Sequence, residues 1–245
     1  MGLSYTKWNK YKVMREDDRL LPHLPETTWF SYDSLKQAVE KHDEWILKPS
    51  GSYGGDGVLM VRKLEDGKFC VQTGKEVVEA EDFESLQAAI ADKVDKAYII
   101  QKRIDLAQIE DRLFDVRLMV QRKTAHSPWQ VTGRLAKVGG PGYIITNVNR
   151  SGGYVLPLET ALKRSSVDPF QQEMIIPELD RLALITVLKL APFYRYIRDV
   201  GIDFGIDSDG GIWIIEANFA PATFLFNKLK DKSMYRRILT FKKRA

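Results

Sequence analysis

The stretch WILKPSGSYGGDGVLMVRK, residues 45–63, limits most tightly how this chain can fold. Two apolar runs of strand length flank a loop in which four of the seven positions 51–57 are glycine. Pro49 ends the first run, and a strand rather than a helix follows the loop. The pattern therefore predicts a hairpin whose connection carries few side chains.

A connection of this kind suits a phosphate, because glycine lets backbone N–H groups approach the anion without an intervening Cβ. Lys48, at the end of the first strand, can place its ammonium group on phosphate oxygens. The loop fits neither Walker A nor the dinucleotide fingerprint, since both need a helix after the glycines. The alternative is a flexible hairpin with an exposed lysine, and the motif alone leaves both open. The candidate phosphate-binding positions are Lys48, Ser50, Gly51, Ser52, Gly54 and Gly55.

A second motif, GIDFGIDSDGGIWIIEANFAPA at residues 201–222, predicts another hairpin. Glu216 and Asn218 are two residues apart, so they share one face of a strand, and Asp203 can join them from the partner strand. Two carboxylates and an amide oxygen form a hard-oxygen site that suits Mg²⁺. Solvated acids at strand ends are the alternative. Glu216 ends the run IWIIE, where an unpaired buried charge would be costly, and this favours metal.

Composition sets broad limits on function. The chain of 245 residues is long enough for one large domain or two lobes. A formal net charge of +4 is too weak to indicate nucleic acid, which we exclude as a partner, and an anionic small ligand fits equally well. The single cysteine, Cys70, excludes an internal disulfide and favours a reducing compartment. No apolar run reaches ~18 residues, so we expect no membrane association and a cytoplasmic protein.

The order of predicted elements indicates an α+β fold, because strands come in clusters and helices are grouped apart from them. We divide the chain into an N-terminal helical segment (1–25), a first lobe with the glycine-rich flap (26–100) and a second lobe with the metal site (101–245). The predicted helices are residues 31–43, residues 82–95, a stretch over 168–200 that is interrupted or bent near Pro177 and Pro192, and part of the basic tail.

Five segments, in this order, resemble the ATP-grasp superfamily and more closely its YheC/YheD family, whose members are described as endospore-coat-associated. They are KWNKYKVMREDDRLLPHLPETTWF, WILKPSGSYGGDGV, IIQKRIDLAQIEDRLFDVRLMVQ, WQVTGRLAKVGGPGYIITNVNRSGG and GIDFGIDSDGGIWIIEAN. The resemblance covers nearly the whole chain. It implies an ATP-grasp fold in which two α+β lobes clasp the nucleotide. Almost nothing precedes KWNKYK, so the N-terminal domain usual before this fold is expected to be absent.

The resemblance also implies roles for individual positions. Lys48 would contact the α and β phosphates, the backbone of Gln101, Lys102, Arg103 and Ile104 would read the adenine edge, and Asp115 would hold the ribose. Lys137 is assigned to the nucleotide site. Arg117 and Arg134 are candidate catalytic cations, and Arg150, with Asn147, lies on the acceptor side. Asp203, Glu216 and Asn218 resemble the Mg²⁺ ligands, at a spacing similar to that of D-alanine–D-alanine ligases.

The implied reaction is an Mg²⁺- and ATP-dependent ligation. A carboxylate is activated as an acyl phosphate and attacked by an amine or another nucleophile, giving ADP and phosphate. The substrates would be small-molecule or peptide carboxylates and amines, and a protein partner could supply the missing N-terminal domain. Two alternatives stay open: a nucleotide-binding spore-coat or assembly protein with little turnover, and an ATP-grasp kinase. The basic tail, residues 228–244, is a solvated helix face or a docking surface for an acidic partner.

Overall fold

The computed structural model describes residues 3–52, 54–94 and 97–243. Tyr53 in the glycine-rich loop and Asp95 at the end of a predicted helix lie outside these residues. The same holds for residues 1–2 and 244–245, at the ends of the predicted first and last segments.

Helices and strands alternate in two blocks along the chain. The helices are α1 (Lys7–Met14), α2 (Tyr32–Lys41), α3 (Phe83–Ala91), α4 (Val148–Ser151), α5 (Leu158–Arg164), α6 (Pro169–Leu190) and α7 (Ser233–Lys242), with 3-10 turns at Leu21–His23 and Phe226–Lys228. The strands are β1 (Thr27–Trp29), β2 (Glu44–Pro49), β3 (Leu59–Lys63), β4 (Phe69–Thr73), β5 (Glu76–Ala80), β6 (Tyr98–Lys102), β7 (Gln108–Ile109), β8 (Arg112–Gln121), β9 (Gln130–Val138), β10 (Tyr154–Leu156), β11 (Asp199–Ile206) and β12 (Ile212–Asn218).

The first lobe is an antiparallel sheet in the order β1-β6-β2-β3-β4-β5, covered on one face by α2 and α3. Alternate residues of each strand face the two sides of a sheet. In β2, Trp45 and Leu47 pack into the core beneath the helices, whereas Ile46 and Lys48 face the other side. The predicted hairpin is confirmed, since β2 pairs antiparallel with β3 across the glycine-rich loop.

The second lobe is an antiparallel sheet in the order β10-β9-β8-β11-β12, with β7 paired to β8. Its core lies between this sheet and helices α5 and α6. The 3-10 turn at Phe226–Lys228 and α7 cover one end of the opposite face through Phe226 and Ile238. The other end of that face stays open toward the first lobe. Helix α1 packs against α6 and β12, so it belongs structurally with the second sheet.

Local sequence explains where the helices of the first lobe begin. Ser31 and Asp82 each accept a hydrogen bond from the backbone N–H three residues on, and a serine at that position donates back, which closes a capping box at both sites. Such caps satisfy N–H groups that a helix start otherwise leaves unpaired. Both predicted helices are confirmed, with slightly shorter bounds.

The stretch is predicted to be interrupted or bent near Pro177, and the interruption is wrong, because α6 runs from Pro169 to Leu190 with Pro177 inside it. Proline removes one helical hydrogen bond, but the buried Leu179, Leu182 and Ala183 hold the following turns against the sheet. The helix does end just before Pro192. Among the described residues, no helix is both long and apolar enough to cross a membrane.

The lobe cores predict a clear contrast between two leucines. Leu47 is fully buried in the first lobe, whereas Leu188 on α6 is 59% exposed. Leu47→Ala should lower the free energy of unfolding by about 2–5 kcal/mol through lost burial and the cavity left behind. Leu188→Ala makes the same chemical change and should shift it by no more than about 0.5 kcal/mol. Urea unfolding of both variants measures the difference; equal losses would contradict this core assignment.

Candidate functional site

A cavity of about 400 Å³ lies between the open faces of the two sheets. Its polar lining comes from both lobes and from α1. The predicted site residues that line it are Lys48, Ser52, Gly54, Gly55, Gln101, Lys102, Arg103, Ile104, Asp115, Arg117, Lys137, Asn147, Asp203, Glu216 and Asn218. Lys48 and Asn218 are 170 positions apart in sequence, so the two sheets bring together chemistry that no local segment contains.

Lys48 reaches the cavity from β2 and is almost fully buried. Its Nζ donates to Oε1 of Gln101 on β6 at 2.7 Å, and Gln101 in turn donates to Oγ1 of Thr27 at 2.9 Å. Burial lowers the pKa of Lys48 to about 8, although the nearby Glu216 carboxylate opposes this shift. The hydrogen bond to Gln101 therefore fixes the position of the ammonium group, while its positive charge is only partly compensated. Such a group is suited to binding an incoming anion.

The glycine-rich loop contacts the second lobe. Gly55 has a φ of +73°, which strains any residue with a side chain, and a Cβ there would lie 2.7 Å from Cδ1 of Ile145, so the tip of Ile145 would have to move. Nδ2 of Asn147 donates to the carbonyl of Gly54 at 2.6 Å, and Nη2 of Arg150 lies 3.0 Å from Oδ1 of Asp56. Arg150 therefore holds the loop from outside and does not line the cavity.

A buried cluster of charges forms the second-lobe side of the cavity. Arg117 on β8 binds Asp203 on β11 through two hydrogen bonds, at 2.6 and 2.8 Å. Nζ of Lys137 on β9 lies 3.0 Å from a carboxylate oxygen of both Asp115 and Asp203. Oγ1 of Thr146 donates to Asp115. Three adjacent strands thus hold two cations and two carboxylates in one contiguous network.

The pKa values of this network shift in different directions, because burial and neighbouring charges compete at each group. Arg117 and Lys137 outweigh burial at Asp203, so its pKa lies well below the usual range. At Asp115, burial outweighs the Lys137 charge, and the Asp203 carboxylate adds to the effect, so the pKa is raised. Lys137 lies between the two carboxylates, and their charges raise its pKa despite its burial. Asp203 is therefore the firmly ionised acid of the pair.

An irregularity in β12 decides where Glu216 points. Asp203 pairs with Glu216, but Phe204 pairs with Ile214, so Ile215 is an extra residue in the ladder. Such a bulge shifts the alternation of faces by one residue. Without it, Glu216 would share the core face of Ile214; with it, Glu216 and Asn218 both line the cavity opposite Asp203. The predicted hairpin and the shared face are confirmed.

The three predicted metal ligands differ in how available their oxygens are. Glu216 is partly exposed in the cavity, with Nζ of Lys7 at 3.6 Å, and Asn218 lines the cavity beside it. Both oxygens of Asp203 are bound by cations. The described residues contain no group of three or more His, Cys, Asp or Glu poised for a metal. Glu216 and Asn218 fit Mg²⁺, which takes one or two protein carboxylates plus phosphate oxygens, whereas Asp203 would have to exchange a cation contact.

Helix α1 contributes two lysines that the sequence analysis did not single out. Nζ of Lys7 lines the cavity and donates to the carbonyl of Ser52 in the glycine-rich loop. Lys10 is buried, donates to the carbonyl of Ala217, and lies 5.1 Å from the ring centre of Phe219. Burial lowers the pKa of Lys10 to about 8. In sequence both lysines lie in a polar, helix-compatible stretch, and no local pattern indicates that this helix faces a cavity.

Other predicted site residues lie elsewhere. Arg134 projects from the opposite face of β9, where Nη2 lies 2.6 Å from Oδ2 of Asp180 on α6. Ser50 is buried, and its hydroxyl accepts from the backbone N–H of Trp8 at 3.2 Å. Gly51, like these two, does not line the cavity. The predicted position of Arg134 at the site is wrong, because Arg134 is three residues before Lys137 on β9 and their side chains face opposite sides of the sheet.

The segment between the lobes is tied into the first sheet. The backbone N–H of Lys102 donates to the carbonyl of Glu26 at 2.8 Å, and that of Arg103 donates to the carbonyl of Glu44 at 3.1 Å. The Arg103 side chain also pairs with the Glu44 carboxylate. Any recognition of a base edge here must therefore use other backbone groups of residues 101–104.

The lowered pKa of Lys48 predicts a pH dependence of stability. The folded chain releases this proton near pH 8 and the unfolded chain near 10.5, so the cost of the buried charge is full below pH 8. As pH rises from about 8 to 10.5, the free energy of unfolding should increase. Lys48→Met should reduce that increase by on the order of 3 kcal/mol. Urea unfolding across the window tests this, with the exposed Lys36→Met as control; identical slopes in both variants would contradict it.

Comparison with known proteins places the chain in a family. The model of YheC/D-like ATP-grasp proteins matches residues 3–242. The endospore coat-associated protein YheD of Bacillus subtilis (strain 168) is 26% identical over 234 residues, covering 91% of this chain and 49% of YheD. YheC of the same strain is 23% identical over 224 residues, covering 88% of this chain and 59% of YheC. The chain thus spans about half to three fifths of the length of these relatives.

Solved structures show the same architecture. The C-terminal domain of K. lactis Pby1, described as an ATP-grasp enzyme interacting with the mRNA decapping enzyme Dcp2, aligns with a TM-score of 0.50 and 17% identity, over 95% of this chain and 68% of that one. The ADP complex of purK, N5-carboxyaminoimidazole ribonucleotide synthetase, aligns with a TM-score of 0.53 and 13% identity, over 89% and 45%. Because the family model matches residues 3–242, this chain belongs to the YheC/D-like ATP-grasp family.

Proposed function

We propose that this chain binds Mg²⁺ and ATP in the cavity between its lobes and uses ATP to activate a carboxylate for attack by an amine or another nucleophile. The observation that supports this most directly is the convergence of three buried cations, Lys48, Arg117 and Lys137, on one cavity. Asp115 and Asp203 compensate Arg117 and Lys137, but the hydrogen-bond partner of Lys48 is the neutral Gln101, and a buried cation without an anion is costly. A polyphosphate would supply that anion to Lys48 and would also reach the two paired cations.

The first lobe would bind the nucleotide. Lys48 and the backbone of the loop around Gly54 and Gly55 would contact the phosphates, since neither glycine places a Cβ between backbone and ligand. The apolar side chains of Ile46, Ile104 and Ile215 line the same cavity and offer a surface for the flat base. Asp115, at the cavity wall, is a candidate acceptor for ribose hydroxyls, as the family assignment implies.

The second lobe would act on the terminal phosphate. Mg²⁺, when bound to oxygens of Glu216 and Asn218, would neutralise charge on the terminal phosphates. Arg117 and Lys137 line the cavity and would stabilise negative charge that develops on the transferred phosphoryl group. Their ion pairs with Asp203 orient them beforehand, so little reorganisation would be needed in the reaction. Lys7 adds a fourth cation at the same wall.

The substrates belong to the proposal only as chemical classes. A carboxylate acceptor and an amine follow from the ligase reaction, and the second-lobe end of the cavity offers room beside Asn149 and Phe224.

The buried Cys70, which forms no disulfide, fits a reducing, cytoplasmic location.

A second function has its own supporting observation. Because both oxygens of Asp203 are held by Arg117 and Lys137, a predicted metal ligand is engaged elsewhere. That arrangement suits a protein that binds nucleotide but turns it over poorly. The relatives YheD and YheC are named as endospore coat-associated proteins, so the alternative is a nucleotide-binding assembly protein in sporulation.

Nucleotide binding should appear as thermal stabilisation. Mg-ATP at 100 times its dissociation constant should stabilise the folded chain by about 2.7 kcal/mol, because ligand binds the folded state alone. Lys48→Ala should remove most of the resulting rise in melting temperature, and Lys36→Ala, an exposed lysine on α2, should keep it. Differential scanning fluorimetry measures both. A wild-type protein that shows no shift at any Mg²⁺ concentration would rule out the nucleotide site.

Turnover should depend on Glu216. With ATP, Mg²⁺ and pools of amino acids and peptides, the wild-type chain should form ADP, phosphate and a condensed product. Glu216→Gln should lower ADP formation at least about tenfold while the melting temperature changes little, since the substitution removes charge but keeps shape. The exposed Glu65→Gln should retain full activity.

The products distinguish the three candidate functions. Condensed product with ADP supports the ligase, and a phosphorylated acceptor without condensation supports a kinase. ATP binding without ADP formation across broad pools supports the assembly protein. Equal losses of folding and turnover in Glu216→Gln would mean that Glu216 is structural.

A further inference from the structure

A cluster of cations lies at the end of the second sheet that is away from Asp115. Its members come from the β8–β9 connection, from the segment before β11 and from α7, which meet there in space. We call it the basic end and define it as Arg122, Lys123, Arg198, Arg237 and Lys242. These residues do not line the cavity between the lobes.

The two arginines nearest the sheet are fixed by main-chain contacts. The Arg122 guanidinium donates to the carbonyl of Ile197 at 3.2 and 3.0 Å and to that of Ala125 at 2.8 Å. Arg198 donates to the carbonyl of Lys123 at 3.2 Å. The backbone N–H of Arg122 also donates to the carbonyl of Arg198 at 3.0 Å. The fold therefore holds two like charges side by side.

Two of the remaining cations, Lys123 and Arg237, are placed by contacts with neighbouring side chains. Nζ of Lys123 lies 5.7 Å from the ring centre of Phe241 on α7. Nη2 of Arg237, also on α7, lies 3.3 Å from Oε1 of Gln130 at the start of β9. Lys242 is exposed one residue after Phe241. These contacts link α7 to the β8–β9 connection, so the charges form one surface.

Nothing in the described part of the chain neutralises this surface. None of its five cations has a carboxylate oxygen within 4.0 Å there, whereas Arg19, Arg164 and Arg181 each have one. Asp199, beside this end, accepts from Nε2 of Gln121 at 2.5 Å instead. Burial and the Arg198 charge both lower the pKa of Arg122, as expected for an uncompensated positive region.

We propose that the basic end is a docking surface for an acidic protein segment rich in aspartate and glutamate. A chain with a formal net charge of only +4 places five unpaired cations at one end, so charge complementarity defines the partner. The surface goes beyond the proposed reaction and is separate from its cavity. Of the basic tail, residues 228–244, the proposal uses only Arg237 and Lys242. Nζ of Lys228 lies 3.2 Å from Oδ1 of Asn149 near the cavity, and Arg244 lies outside the described residues.

The aromatic groups argue against a single-stranded nucleic acid as the partner. Single strands bind largely by stacking bases on free aromatic faces. Here the Trp129 ring is covered by the Arg122 guanidinium at 4.6 Å, and Phe241 lies beneath Lys123. The surface therefore offers charge without an open stacking platform.

The test is fluorescence anisotropy with a fluorescein-labelled polyglutamate peptide, titrated with the full chain at low and at physiological salt. The wild-type chain should bind, and the affinity should fall as salt screens the exposed charges. Lys123→Glu/Arg237→Glu/Lys242→Glu should weaken binding at least about tenfold. Arg122 and Arg198 are left unchanged, because they also tie the backbone together.

A matched control reverses three exposed lysines elsewhere, Lys36→Glu/Lys93→Glu/Lys163→Glu, and so has the same net charge. It should keep wild-type affinity within about threefold. Both variants are checked by circular dichroism, and the milder Lys123→Gln/Lys242→Gln replaces the reversal variant if it does not fold. Three results would overturn the proposal: no binding by the wild-type chain at low salt, equal loss in the control, or tighter binding of a single-stranded oligonucleotide than of the peptide.

Discussion

The buried network of Arg117, Lys137, Asp115 and Asp203 is the constraint on which the candidate site depends. Three adjacent strands each contribute to it, and removing one member would leave a charge uncompensated, at a cost of about 3–5 kcal/mol. The strands must therefore keep their register for the charges to remain paired. The same pairing orients two cations toward the cavity, so structural and functional demands fall on the same atoms.

One extra residue in β12 completes this arrangement. The bulge at Ile215 lets consecutive residues face the cavity, since Ile215 and Glu216 both line it while Ile214 stays in the core. Bulges recur where a strand must redirect a functional side chain. The carbonyl of Ile215 also lies 3.5 Å from Nζ of Lys48, so the bulge connects the second sheet to the first.

Helix α1 contributes a third wall that joins the two lobes. Packed on the second lobe, it reaches the glycine-rich loop through Lys7 and through the backbone contacts of Lys7 and Trp8 with Ser50. On the far side, Asn147 and Arg150 contact the same loop. The described residues of this loop are thus held from two directions, on one side at Ser50 and Ser52 and on the other at Gly54 and Asp56.

Sequence alone determined the flap between two strands, the hairpin carrying Asp203, Glu216 and Asn218, the helix starts at Ser31 and Asp82, and the α+β class. These follow from local periodicity, turn residues and caps, which act over a few positions. Only the tertiary structure decided the bulge, the inward position of α1, the far-face location of Arg134, and the unpaired cations at the basic end. Each depends on which strand or helix packs alongside, and no local pattern encodes a neighbour that is a hundred residues away in the chain.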